Sequence, residues 1–421
     1  MTSQQAYQLL FDIALILALA LAFGQAARKL GQPAVVGEIL LGILLGPTLL
    51  SSTFSARLIP TDIRPPLSAL ADIGVAIFMF LLGLEVDHRT LRGDSRRAAG
   101  AAAGAMILPL GLGCLLAAER WHVATAPSRV GFVLFFGTAM AMTAFPVLAR
   151  ILSEDRMRDT EIAGIALTAA AIGDVAVWSL LAVILVVTDH ENTWHILLAI
   201  PYVAVMLYGV RPALARFTAR FADGRMPASA LIAVLVVAFA SGGATEWFGL
   251  HFIFGAFFAG LVFPRTGSAK VREQITEQVG LVGNALLMPI YFVMAGLSVN
   301  LRTVGRSGLI DLGLILVVAI GGKMLGGYVG ARASGLPSRQ SAVIGVLLNT
   351  RGLTELIILG VGLQLHYLDT RLYSLMVAMA VITTAMTGPL LQLSYPVHQR
   401  IPRTVTRSRP LPNLSAQEAE S

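Results

Sequence analysis

Polar residues punctuate this chain between apolar runs about as long as a helix needs to cross hydrocarbon. Charged or proline-containing breaks separate thirteen runs: 5–27, 33–50, 66–86, 98–118, 129–152, 161–188, 193–215, 227–246, 248–263, 283–299, 307–331, 340–365 and 372–395. A transmembrane barrel would instead show roughly 10-residue segments of alternating hydrophobicity. The pattern predicts an all-α polytopic membrane protein with about 13 transmembrane helices over residues 1–396. Residues 268–282 (SAKVREQITEQVGLV) are too polar to span and predict an interfacial helix. Residues 397–421 are polar and contain Pro and Arg, predicting a short disordered tail. The first run lacks the positive flank of a cleaved signal peptide and reads as a retained span.

Composition fits that class: 56% of the 421 residues are hydrophobic and 13% charged, against about 25% charged in soluble domains. The net charge of +7 is topological and does not imply a nucleic-acid partner. With the N-terminus outside, connections on the cytoplasmic side carry 22 of the 31 basic residues and external ones carry 7. That bias predicts a multi-pass protein of the inner membrane with a cytoplasmic C-terminus. The single cysteine, Cys114, can make no internal disulfide.

Two stretches repeat. Residues 78–93 (FMFLLGLEVDHRTLRG) and 291–306 (YFVMAGLSVNLRTVGR) share Gly83/Gly296, Leu84/Leu297, Val86/Val299, Arg89/Arg302 and Thr90/Thr303 at an offset of 213. One closes the third run and the other the tenth, so they cross the membrane in opposite directions. This predicts inverted repeats, roughly 33–188 and 248–395, of the kind that place a transport site where a helix in each half is interrupted. Both interruptions are present. Thr143-Ala144-Phe145-Pro146 breaks the fifth run, since proline removes a backbone donor and clashes with the preceding turn. Asn349-Thr350-Arg351-Gly352 puts polar residues inside the twelfth. Unwound backbone at membrane depth is tolerated only around a cavity or within packed protein.

Ionisable residues deep in apolar runs are functional candidates by default. Asp174 follows Gly173 near the centre of the sixth run, with no basic residue within fifteen positions. A carboxyl group removed from water can hold a proton, or stay charged with a cation beside it. The two guests exclude each other, so one acid suffices for exchange. Lys323, in the middle of the eleventh run, needs an acidic partner or must lose its proton. Asp174 is the expected one, in a permanent salt bridge or in an ion pair that a cation breaks. Arg351 and Glu355 are four apart on one helical face and predict an internal pair supporting the broken helix. Glu38 reads equally as a gate or a structural residue. Asp72, Glu85, Glu246 and Asp311 lie near run ends and read as interfacial, and His251 as a packing histidine. Gly321-Gly322-Lys323 lacks the spacing of a phosphate-binding loop, and there is no Cys/His cluster or nucleophile elbow. No enzyme, nucleotide or cofactor is expected, and transport must run on an ion gradient.

At these residues the chain resembles the monovalent cation:proton antiporter-2 family, particularly plant cation/proton exchangers and bacterial relatives. The resemblance rests on GQPAVVGEILLGILLGP (31–47), TAFPVLARIL (143–152), GDVAVW (173–178), TEWFGLHFIFGAFFAGLVFP (245–264) and NTRGLTELIILGVGL (349–363), with the Gly-Lys of the eleventh run. It implies the sodium/proton antiporter fold, with a dimerisation bundle and a core of two crossed discontinuous helices that moves like an elevator. It also implies a homodimer. By position, Asp174 looks like the ion- and proton-binding acid, Thr143 and the unwound backbone at Ala144 look like monovalent-cation ligands, and Lys323 looks like the lysine that pairs with the acid. Pro146, Gly173, Asn349, Thr350, Arg351, Glu355 and Glu38 would support them. Electrogenic relatives carry two adjacent acids; Gly173 before Asp174 favours electroneutral 1:1 exchange of Na⁺ or K⁺ for H⁺. The short tail argues against regulation of the glutathione-gated kind. The alternative is an ion-coupled exporter or symporter of an organic solute on the same fold.

Overall fold

The computed structural model describes residues 3–48, 58–85, 95–121, 126–154, 157, 160–188, 198–221, 226–264 and 269–394. Within them every extended element is a helix. In chain order these are α1 (Ser3–Lys29), α2 (Ala34–Leu45), α3 (Arg64–Glu85), α4 (Ser95–Arg120), α5 (Arg129–Ala141), α6 (Phe145–Glu154), α7 (Glu161–Thr188) and α8 (199–219). There follow α9 (Ala228–Trp247), α10 (Phe252–Leu261), α11 (269–297), α12 (Gly305–Ala333), α13 (Ser338–Leu348), α14 (Leu353–Gln364) and α15 (Thr370–Ser394). Among the described residues nine helices are long and apolar enough to cross a membrane, ten if the bent pair α13–α14 is one span. Large apolar side chains such as Leu10, Ile107 and Val317 are exposed on α1, α4 and α12, as lipid-facing positions require.

Two expected spans are shorter as helices than as apolar runs. α2 has 12 residues and α10 has 10. At about 1.5 Å per residue neither alone covers about 30 Å of hydrocarbon. The interfacial helix expected at 268–282 is not separate. Residues 269–282 continue through a wide turn at 283–287 into 288–297. Val271, Ile275 and Val279 form a buried stripe in one cluster with Phe80, Leu84 and Met226, while Glu273 and Glu277 stay exposed. The mean polarity of the segment conceals that stripe. The tail expected at 397–421 lies outside the described residues, as does the Val86–Gly93 part of the first repeat copy.

The helices sort into two groups. α1, α2, α3, α9, α10 and α11 pack closely on one another, as do α4, α5, α6, α7, α12, α13, α14 and α15. α8 joins the first of these groups through Met206 and Leu214. The groups meet along an apolar seam, where Ile39, Val75, Met79, Phe257 and Phe292 share one buried cluster with Phe135, Trp178 and Leu356. Within the second group, α4 and α12 cross at Gly104 and Gly326, and a Cβ on either would collide with the other's backbone carbonyl. Small residues permit such close helix packing without a large apolar payload. At one end of this group Asp311 is buried, 3% exposed. Arg120 Nε and Arg371 Nη2 donate to its two oxygens at 2.9 and 2.8 Å, joining α4, α12 and α15. Asp311 is thus a buried clamp between three helices.

The Gly104–Gly326 crossing is directly testable. Gly326→Val should destabilise the detergent-solubilised protein by about 1–3 kcal/mol through overpacking, read as a lowered unfolding temperature. Gly111→Ala, where an added Cβ meets nothing within 4 Å, should leave it unchanged. Equal behaviour of the two variants would refute this packing.

Candidate functional site

Both interruptions expected in the second group are present. α5 stops at Ala141, Met142 is extended (φ −63°, ψ 140°), and α6 begins at Phe145. Pro146 lies in the first turn of α6, where its missing donor costs least. α13 stops at Leu348 and α14 starts after Gly352, whose φ of +156° and ψ of −128° suit glycine. A side chain there would also press on Val147, with a Cβ only 2.8 Å from its Cγ2. α13 and α14 bend by 45° at the break. The two unwound stretches bond to each other: Ala144 N–H donates to Thr350 O at 3.0 Å, and Thr143 Oγ1 donates to Leu348 O at 3.3 Å.

Helix breaks free backbone carbonyls, and here two buried cations take them. Arg351 Nη1 donates to Ala139 O at 3.2 Å and Nη2 to Met140 O at 2.6 Å. Lys323 Nζ donates to Ala141 O and to Thr143 Oγ1. Both cations therefore sit at the C-terminal end of α5, the negative end of its dipole. Glu355 Oε1 pairs with Arg351 Nη1 at 2.6 Å, both side chains fully buried, which is the internal pair read from the four-residue spacing. Thr384 Oγ1 donates to Arg351 O at 2.8 Å, fixing the second break to α15. Asn349 is fully buried with its amide unpartnered, and the Thr350 hydroxyl turns back to Leu347 O.

Asp174, on α7, is 1% exposed, and neither carboxylate oxygen has a hydrogen-bond partner. The ion pair with Lys323 expected from the sequence is not formed; the ammonium is turned to the carbonyl and hydroxyl of the broken helix. Around Asp174 the charged neighbours are Lys323 and Glu85, and the backbone N–H of Phe145 at the start of α6 points its way. A helix start carries a partial positive charge suited to a carboxylate. Gly173 has open space where a Cβ would be.

A cavity of about 10 Å³ adjoins Asp174, lined by Leu82, Glu85, Phe145 and Ala171, room for about one water-sized occupant. Leu82 and Glu85 also line a wider vestibule of about 360 Å³ between the two helix groups. Pro33, Glu38, Pro146 and Leu353 line it as well. Glu85 therefore connects vestibule and acid, a place the sequence reading missed by treating it as interfacial. Its position directly after the repeated Gly83-Leu84 pair was the available signal. Glu38 lines the vestibule without touching the inner cavity.

Two helix groups enclosing a buried carboxylate beside paired helix breaks define a secondary-transport fold. The chain matches the sodium/hydrogen exchanger family, transmembrane region, over residues 14–393 and belongs to it. It is 35% identical to cation/H⁺ antiporter 17 of Arabidopsis thaliana, aligning over 92% of this chain and 48% of that protein. It is 34% identical to the Na⁺/H⁺ antiporter NhaS4 of Synechocystis, over 92% of this chain and 97% of that one. A further relative is K⁺/H⁺ antiporter 1 of Saccharomyces cerevisiae, 33% identical over 87% of this chain and 44% of the yeast protein. The chain thus spans about half the length of the plant and yeast relatives. Its fold is similar to that of the sodium proton antiporter MjNhaP1 of Methanocaldococcus jannaschii, with a TM-score of 0.59 at 15% identity over 94% of this chain and 98% of the other.

The buried Arg351–Glu355 pair carries a stability prediction. Arg351→Met strands Glu355 and uncaps two carbonyls, and should cost about 3–5 kcal/mol, seen as loss of the monodisperse species in detergent. Adding Glu355→Leu should recover part of that loss. A single variant as stable as the parent protein would contradict the assignment.

Proposed function

We propose that the protein exchanges a monovalent cation, Na⁺ or K⁺, for a proton across a bacterial inner membrane, one for one, with Asp174 holding the two in turn. The observation that carries this reading is a fully enclosed carboxylate whose oxygens have no partner, at the narrow end of a vestibule. A cation reaching Asp174 neutralises it there, with Thr143 and the unwound backbone at Ala144 as further oxygen ligands. A proton does the same and expels the cation, since one carboxylate cannot serve both. Lys323, held at the α5 break, leaves Asp174 open to a cation in this conformation and pairs with it once the cation has gone. Gly173, where electrogenic relatives have a second acid, fits a single exchanged charge. The inner cavity of about 10 Å³ fits one small ion.

The transport fold follows from the same reading. α2, α8 and α10 complete thirteen crossings, with the N-terminus outside and the C-terminus in the cytoplasm. The element order short, long, long, broken, long occurs in α2–α7 and again in α10–α15, which supports inverted repeats at roughly 33–188 and 248–395. The two breaks that bond through Ala144 and Thr350 are then the crossed discontinuous helices. The vestibule end, where basic residues concentrate, is cytoplasmic. The site-bearing group moves against the other, and a homodimer forms through the latter.

Asp174→Asn keeps the shape of the side chain and removes its charge. In everted membrane vesicles it should reduce Na⁺- or K⁺-induced dissipation of a pH gradient to the level of vesicles without the protein, while expression and monodispersity persist. Exchange that survives in this variant would refute the assignment of Asp174. Repeating the assay with Na⁺, K⁺, Li⁺ and Rb⁺ separately identifies the transported ion.

A further inference from the structure

The seam between the two helix groups is open at the vestibule and closed at the opposite end. Leu353 lines the vestibule, and Gln364 lies eleven residues further along α14, about 16 Å away at about 1.5 Å per residue. There Gln364 Oε1 and His251 Nε2 are 3.1 Å apart, joining α14 of the site-bearing group to the residue that precedes α10 of the other. Other hydrogen bonds cross the seam: Tyr373 Oη donates to Ala295 O at 3.0 Å, and Gln32 Nε2 to Ala385 O at 3.2 Å. Of these bonds, the one through His251 can change its charge near neutral pH.

The surroundings of His251 say what that change does. Its Nδ1 is buried without a partner. Glu246 on α9 lies beside it, with Oε2 accepting from Phe252 N–H at 2.7 Å. Asp72 on α3 is the charged neighbour of Glu246, and His366 is exposed two residues beyond Gln364. Protonation makes both ring nitrogens donors. The bond to Gln364 then becomes charge-assisted and stronger, and the cation faces the Glu246 carboxylate. Acid therefore tightens this end of the seam.

Resting on the antiport reading above, we propose that His251 and Gln364 form a proton-tightened latch between the two helix groups. The latch holds the far side of the transport path shut when that side is acidic and lets it open as the pH rises. His251 is a positioning residue here: it does not touch the transported ions. Elsewhere the seam is mostly apolar, with few directional bonds to break.

The test is cation exchange in proteoliposomes at equal internal and external pH, across a pH series from acidic to alkaline. His251→Phe and Gln364→Ala should each move the half-maximal point to lower pH, by about half a unit or more. Gln364→Glu, which turns the bond into an ion pair, should move it to higher pH. All three leave Asp174, Lys323 and both helix breaks in place. Profiles that superimpose on that of the parent protein, or that fall uniformly at every pH, would overturn the latch while leaving the antiport reading intact. Failure of the parent protein to exchange at any pH would count against the antiport reading itself.

Discussion

Backbone that unwinds at membrane depth must find its hydrogen-bond partners inside the protein, and the organisation of this molecule follows from how it does so. The break after α5 exposes the carbonyls of Ala139, Met140 and Ala141. Arg351 takes the first two and Lys323 the third. Arg351 belongs to the other break, so each interruption completes its partner. An uncompensated carbonyl in hydrocarbon would cost several kcal/mol, and a cation buried alone would cost more. Together the two liabilities cancel.

That cancellation leaves one carboxylate out. Glu355 is engaged by Arg351 and Asp311 by two arginines, while Asp174 has the start of α6, a small cavity and no bonded partner. In the proposed exchange, selectivity for small cations over larger solutes comes from the size of the cavity, and competition with protons comes from Asp174 serving one guest at a time. The second helix group carries all of these parts except one wall of the cavity, to which α3 of the first adds Leu82 and Glu85. The first supplies the apolar wall on which they lie, joined by few directional bonds, so relative movement need not dismantle the site.

Much of this was legible in the sequence because helix breaks and buried charges leave local signals. Pro146 and Gly352 mark the interruptions, the four-residue spacing marks Arg351–Glu355, and isolation in an apolar run marks Asp174. Other features depend on how helices lie against one another, which one-dimensional position does not encode. Depth in a run placed Lys323 near Asp174 but not the direction of its ammonium, which turns to Thr143. Glu85 sits at a run end, and its role appears only once α3 lies beside α7. Run length overstated α2 and α10, because apolar residues continue beyond the helix into loops at Gly46 and before His251. The stripe of Val271, Ile275 and Val279 was lost in the mean polarity of its segment.

The central claim is that one enclosed carboxylate holds either a proton or a cation. The most direct measurement is proton release on adding Na⁺ or K⁺ to purified protein in weakly buffered detergent, followed with a pH dye across a range of starting pH. The account predicts about one proton released per cation bound in the acidic range, with apparent cation affinity rising about tenfold per pH unit until Asp174 is fully ionised. Cation binding without proton release, at an affinity that does not change with pH, would contradict it.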